Sequence, residues 1–196
     1  MMLLPIYRSA VRQFDSRVRA VRPEQWSVST PDDDWDVQRL VQHVIVGQSV
    51  VPDIIDGRPA NFSAGSSALT GPGLVQEWAA ASTAAVEALS QVEYRDQLVQ
   101  LPDGPASVEE LGWRLATDLT VHAWDLARAV DAPDEFPNDL LAHVLEHARE
   151  SAGSWFRPNR YAPAIPVPGC TDDLTELLAL TGRNRWWRRS AANVVA

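Results

Sequence analysis

Lysine is absent from this chain of 196 residues: all 17 basic side chains are arginines. That reflects codon usage rather than chemistry and says nothing about mechanism. Cysteine is nearly absent as well. Cys170 stands alone, so no internal disulfide can form, and a reducing compartment, the cytoplasm, is the expected setting. Long apolar runs are missing, since nothing approaches the roughly 18 residues of a membrane-spanning helix. The opening MMLLPIYRSAVRQF has no basic start and meets Arg8 early, so no signal peptide is expected. Basic charge is in deficit: 26 acidic residues leave a net charge of −9. That balance argues against nucleic acid or an anionic membrane as the main partner. Nor is there a Gly-rich phosphate loop or a Ser-His-Asp arrangement. What remains, at 45% hydrophobic and 22% charged residues, is an ordinary soluble composition in a chain long enough to bury a full core.

What is present is helical periodicity almost throughout. Leu4, Tyr7, Val11, Phe14, Val18 and Val21 fall at steps of three and four, an apolar seam on a first helix that Pro23 ends. A second helix is expected from about Trp35 towards Val51, entered through Thr30 to Asp34 as capping residues and bent or ended by Pro52. An Ala-rich third spans about 72–92. The fourth, about 107–130, has Ser107 as N-cap with Glu109 and Glu110 in its first turn. The fifth, about 137–151, begins at Pro137. No convincing strand is visible.

The expected fold is therefore all-α, a four-helix bundle with an additional helix, in one domain over residues 1–196. The bundle takes about 1–151. A Pro-rich strap, a short helix at 172–182 and a tail fill about 152–196. The connection at 56–73 is longer than bundle loops usually are, which suits a disordered segment or one that hangs over a site.

Chemistry concentrates on the fourth helix. At 100° per residue, Leu111, Leu115, Leu119, Ala123 and Leu126 share one face. Asp118 and His122, four apart, lie on an edge of that face with Asp125 beside them, while Arg114 and Arg128 lie further round and Glu109 and Thr120 point away. A carboxylate at a core edge is costly unless paired. Two readings stand: Asp118 accepts a hydrogen bond from His122, or both are ligands of a divalent ion, as i, i+4 spacing allows. His43, on the mostly apolar second helix and in line with Gly47, is a candidate third ligand expected to be at least half buried; hydrogen-bonded core-edge histidine is its other reading. Three protein ligands would leave positions open for substrate, as in catalytic zinc sites.

The patterns W-D-V-x-x-L-V-x-H-V-x-x-G at 35–47 and T-D-L-x-V-H-x-W-D-L-A at 117–127 resemble the DinB/YfiT-like metal-binding bundles. They are most similar to the branch related to mycothiol-dependent maleylpyruvate isomerase, and P-V-P at 166–168 and L-L-A-L-T-G-R at 177–183 resemble its short members. The resemblance implies metal ligation by His43, Asp118 and His122, with mycothiol as co-substrate. It implies an enzyme that activates a low-molecular-weight thiol for S-transfer to, or isomerisation of, a small electrophile. The isomerase itself has glutamate in place of Asp118 and a further C-terminal domain not expected here, so the resemblance implies the metal site more directly than the isomerase reaction. Histidine and carboxylate donors suit zinc, with nickel, iron and manganese also compatible. Asp125 is a candidate for orienting an imidazole behind the ion, and Arg58, in the long connection, for meeting a substrate carboxylate. The alternative is a non-catalytic metal-binding or regulatory bundle. A homodimer is compatible with a bundle of this size, although no pattern marks an interface.

Two further motifs compete. HVLEH at 143–147 matches the H-x-x-E-H of inverted zinc peptidases, but His143 and Glu146 oppose the core stripe of their helix and His147 sits at its edge. RNRWWRR at 183–189 is a basic, aromatic patch; against the overall charge, its tryptophans are expected to pin the tail to the bundle or meet a second copy. Cys170 is not assigned a catalytic role.

Overall fold

The first apolar seam becomes helix α1 (Leu3–Arg19), centred on Leu3, Ile6, Tyr7, Ala10, Phe14 and Val18, all buried. Leu4, Val11 and Val21, expected in that seam, sit at its partly exposed margin. The structure, a computed structural model, describes residues 2–32, 35–62, 70–92, 96–155 (side chains of 152–155 excepted), 161–169 and 172–189. Cys170, Asp33 and Asp34 lie outside the described residues.

The remaining helices are α2 (Val37–Ser49), α3 (Val51–Ile55), α4 (Gly73–Gln91), α5 (Val108–Val130), α6 (Asn138–Trp155) and α7 (Asp173–Leu180). Helix α1 packs along α5 and α2 along α4, and α1–α4 and α2–α5 contacts close the ring of a four-helix bundle. Helix α6 is the additional helix, lying against α5 and α1 with α7 on its outer side. Trp78, Trp124, Tyr7 and Phe14 are fully buried in the common core, where truncating any one to alanine would cost about 3–5 kcal/mol.

Two local expectations change and one, the break at Pro52, holds. The cap of α2 is Asp36, whose carboxylate accepts from the Arg39 backbone N–H at 2.8 Å. Thr30 instead braces the preceding turn, its N–H donating to the Trp35 carbonyl at 2.9 Å and its hydroxyl to the same oxygen at 3.1 Å. Pro52, lacking an N–H, falls in the first turn of α3 and so breaks the long second helix at Val50. Residues 98–107 form a small antiparallel hairpin, β1 (Leu98–Leu101) and β2 (Gly104–Ser107), where no strand was expected. Its turn is Pro102–Asp103 followed by Gly104 at φ +124°, the chemistry such turns require.

Helix α5 is the axis of the molecule. Ser107 caps it, accepting from the Glu110 N–H at 3.0 Å as its sequence signals. Its far end closes at Asp131, φ +57°. With α1, α2 and α6 around it, α5 is buried on nearly every side. Thr120, expected to face away, is therefore enclosed, and its hydroxyl satisfies itself on the Ala116 carbonyl at 2.7 Å. Among the described residues no helix is long and apolar enough to cross a membrane.

Candidate metal centre

The bundle brings His43 of α2 against Asp118 and His122 of α5, and their donor atoms all lie within 4.8 Å of one another. Asp118 Oδ1 is 3.5 Å from His122 Nε2, the expected i, i+4 approach. The His43 and His122 rings meet edge to face at 5.3 Å. Trp35 covers both imidazoles, with ring centroids 4.7 Å from His43 and 6.0 Å from His122. His122 is buried, Asp118 partly so, and His43 is the most open of the three. The exposure is onto a cavity of about 320 Å³ that His43 and Asp118 help to line.

Behind the cluster, His122 Nδ1 lies 3.0 Å from Asp125 Oδ2, and Asp125 is completely buried. That contact directs Nε2 towards Asp118 and His43, as an orienting carboxylate does behind a ligand imidazole. Arg183 holds Asp125 in turn: its Nη2 donates to Asp125 Oδ2 at 3.2 Å and to Asp32, and its Nη1 to the Thr181 carbonyl at 3.0 Å. From the strap, Tyr161 donates its hydroxyl to Asp118 Oδ1 at 3.4 Å, and the Arg183 guanidinium lies 5.7 Å from the Tyr161 ring. Sequence reasoning missed Trp35, Asp32, Tyr161 and Arg183. The L-T-G-R stretch is visible in the sequence, but nothing local shows that Arg183 returns to a residue 151 positions away.

Electrostatics mark the cluster as cation-seeking. Burial by itself would lower His122, but Asp118 and then Asp125 outweigh it and raise the imidazole to about 9. Burial would raise Asp118, yet His122, His43 and Arg183 hold it well below the usual carboxylate range. His43 is lowered, chiefly by burial on every side but the cavity, with Asp118 opposing; a neutral imidazole is the form that ligates. Three carboxylates, Asp32, Asp118 and Asp125, face one guanidinium here. With neutral imidazoles the group carries two surplus negative charges, which a divalent ion would balance. The donor set therefore fits a divalent metal. A second convergence, Asp32–His122–Asp125, does not fit, because Arg183 already sits against both carboxylates.

Arg58 is not brought to the cluster. It is exposed, paired with Asp53 at 2.7 Å and with Asp56, and it does not line the cavity. The cation that does is Arg114, assigned no role from sequence. HVLEH forms no metal cluster among the described residues. In the tail Trp187 packs on the core, as expected, while Trp186 stays 70% exposed.

Fold and site together define a DinB-like helical bundle with a two-histidine, one-aspartate cluster. More narrowly, the chain belongs to the family of the mycothiol maleylpyruvate isomerase N-terminal domain, whose model matches residues 7–127 and so takes in His43, Asp118, His122 and Asp125. Uncharacterised proteins from two strains of Mycobacterium tuberculosis are 28% identical over 186 residues, covering 92% of this chain and 97% of theirs. Crystal structures of mycothiol-dependent maleylpyruvate isomerase, unmodified and as a histidine-to-alanine mutant, share the fold. Each has a TM-score of 0.65 at 16% identity, over 78% of this chain and 69% of that one.

Proposed function

We propose that this protein is a metal-dependent enzyme that activates a low-molecular-weight thiol of the mycothiol type for S-transfer to, or isomerisation of, a small electrophile. The observation that carries the reading is the convergence of His43, Asp118 and His122 at the polar end of an otherwise largely apolar cavity. Family membership adds to it, since the family takes its name from a mycothiol-dependent isomerase. These three residues would hold the ion, for which zinc is the best-suited identity. A divalent ion bound there would favour the thiolate form of a coordinating thiol near neutral pH.

The rest falls to the chain. Asp125, locked by Arg183, keeps the His122 Nε2 lone pair aimed into the site. Tyr161 donates to one Asp118 oxygen and so restrains that carboxylate. Trp35 walls both imidazoles from one side, and the aliphatic side chains of the cavity lie on the other. A cytoplasmic setting, where small thiols stay reduced, belongs to the same reading.

Elemental analysis of untagged protein, followed by titration with mycothiol, tests it. About one metal per chain is expected, with thiol binding that is lost when the ion is stripped. A protein that takes up no metal after zinc addition would remove the reading.

A further inference from the structure

The cavity is strongly one-sided in its chemistry. On α2 the stripe that starts at His43 continues through Val46 and Val50, and Ile54 of α3 extends it. On α5 the stripe that starts at Asp118 continues through Leu115 and Leu111. Each stripe spans seven positions to Val50 and to Leu111, so the slot between them runs about 10 Å from the polar cluster, the length of an extended chain of about eight carbon atoms. Among the described residues lining it, Asp118 and Arg114 are the charged ones besides the histidine. Arg114 is committed: its Nε donates to Glu110 at 2.7 Å and its Nη1 to Asp103 at 3.1 Å. A dicarboxylate such as maleylpyruvate would thus meet aliphatic walls and a guanidinium already matched by two carboxylates. Mycothiol, whose body is rich in hydroxyl groups, gains nothing from such walls either. Gly47 leaves the slot wide, since a Cβ added there meets nothing within 4 Å.

We propose that this slot sets substrate class: it takes a neutral substrate with a hydrocarbon body of about six to eight carbon atoms, its polar reactive end at the His43–Asp118–His122 cluster. The assignment of the reactive end rests on the metal reading above; that of the body rests on the walls alone.

Unreactive probes test the body separately. Butanol, hexanol, octanol and octanedioate are titrated calorimetrically into the protein, with metal content measured in parallel. Affinity should tighten about fourfold per added CH₂ along the alcohols, and octanedioate should bind at least about tenfold more weakly than octanol. Gly47→Leu places a side chain in open space and removes a helix-interior glycine, so the fold should hold. It should weaken octanol at least about tenfold by filling the slot while leaving metal content unchanged. Flat affinity along the alcohols, octanedioate binding as tightly as octanol, or octanol indifferent to Gly47→Leu overturns the proposal. Metal held with octanol ignored defeats the slot alone. Octanol bound with the expected length dependence, in a protein that holds no metal, bears out the slot and defeats the metal reading.

Discussion

Two places on α5 set histidines against an acidic residue and a tryptophan, and only in one of them do the donor atoms converge. Around Asp118, two imidazoles from different helices point donor atoms at a shared spot under Trp35. Around Trp113, the two imidazoles of HVLEH lie against the indole, at 6.4 Å for His143 and 5.9 Å for His147. There His143 Nδ1 lies 2.8 Å from the carbonyl of Asp139. His147 Nε2 lies 3.7 Å from Glu110, a carboxylate that also accepts from Arg114. The first group has a fully buried carboxylate behind its His122 imidazole and surplus negative charge. The second has its acid shared with an arginine and its rings occupied by packing. Residue types and spacing are nearly the same; convergence, anchoring and charge balance differ.

Paired substitutions separate the two most sharply. His122→Ala should abolish metal retention, whereas His147→Ala should leave it intact, as measured by elemental analysis after dialysis. The reverse pattern would transfer the centre to HVLEH. Next in size is the loss of the buried cation. Arg183→Met takes the guanidinium from the buried Asp125 and leaves that carboxylate to its His122 contact, which should cost about 3–5 kcal/mol in denaturant unfolding. Arg114→Met, whose partners Glu110 and Asp103 reach solvent, should cost under about 1 kcal/mol. Equal losses would mean that the Asp125–Arg183 contact is no more demanding than a surface pair. Smaller again is Asp125→Asn, which keeps the shape but not the charge behind His122 and should weaken zinc about 10- to 100-fold in competition with a chelator. Glu110→Gln should leave zinc affinity where it was.

The same contrast explains what the sequence could reveal. Helices, Ser107 as cap and the Asp118–His122 pair are written in local spacing, and the resemblance joined His43 to them. The hairpin at 98–107 was signalled only by Pro102–Asp103–Gly104, because its strands are four residues each and Leu98 is 69% exposed, too short and too wet to alternate. Arg183 and Tyr161 could not be read at all. Their partners are brought near by the path of the strap and not by any repeat. Arg58 is a different case: Asp53 and Asp56, close by in sequence, hold its guanidinium away from the cluster.

The least of the expected effects is also the one that treats the two groups as opposites under acid. Burial, with Arg114 adding to it, lowers His147 against the pull of Glu110 and Glu150, so the folded state favours its neutral form. The stability this confers is present above the unfolded value near 6.5 and is lost as pH falls from there through the lowered folded value. His122 in the metal-free protein is raised to about 9, so its contribution is complete below 6.5 and is lost only as pH climbs through 9. From pH 7 to 5, acid therefore works against folding at His147 and not at His122. Thermal unfolding of the metal-free protein across that range should fall less steeply for His147→Gln than for the unmodified chain. His43, lowered in the same direction, contributes equally to both curves and drops out of the difference. Parallel curves would show that Glu110 already compensates His147 in full.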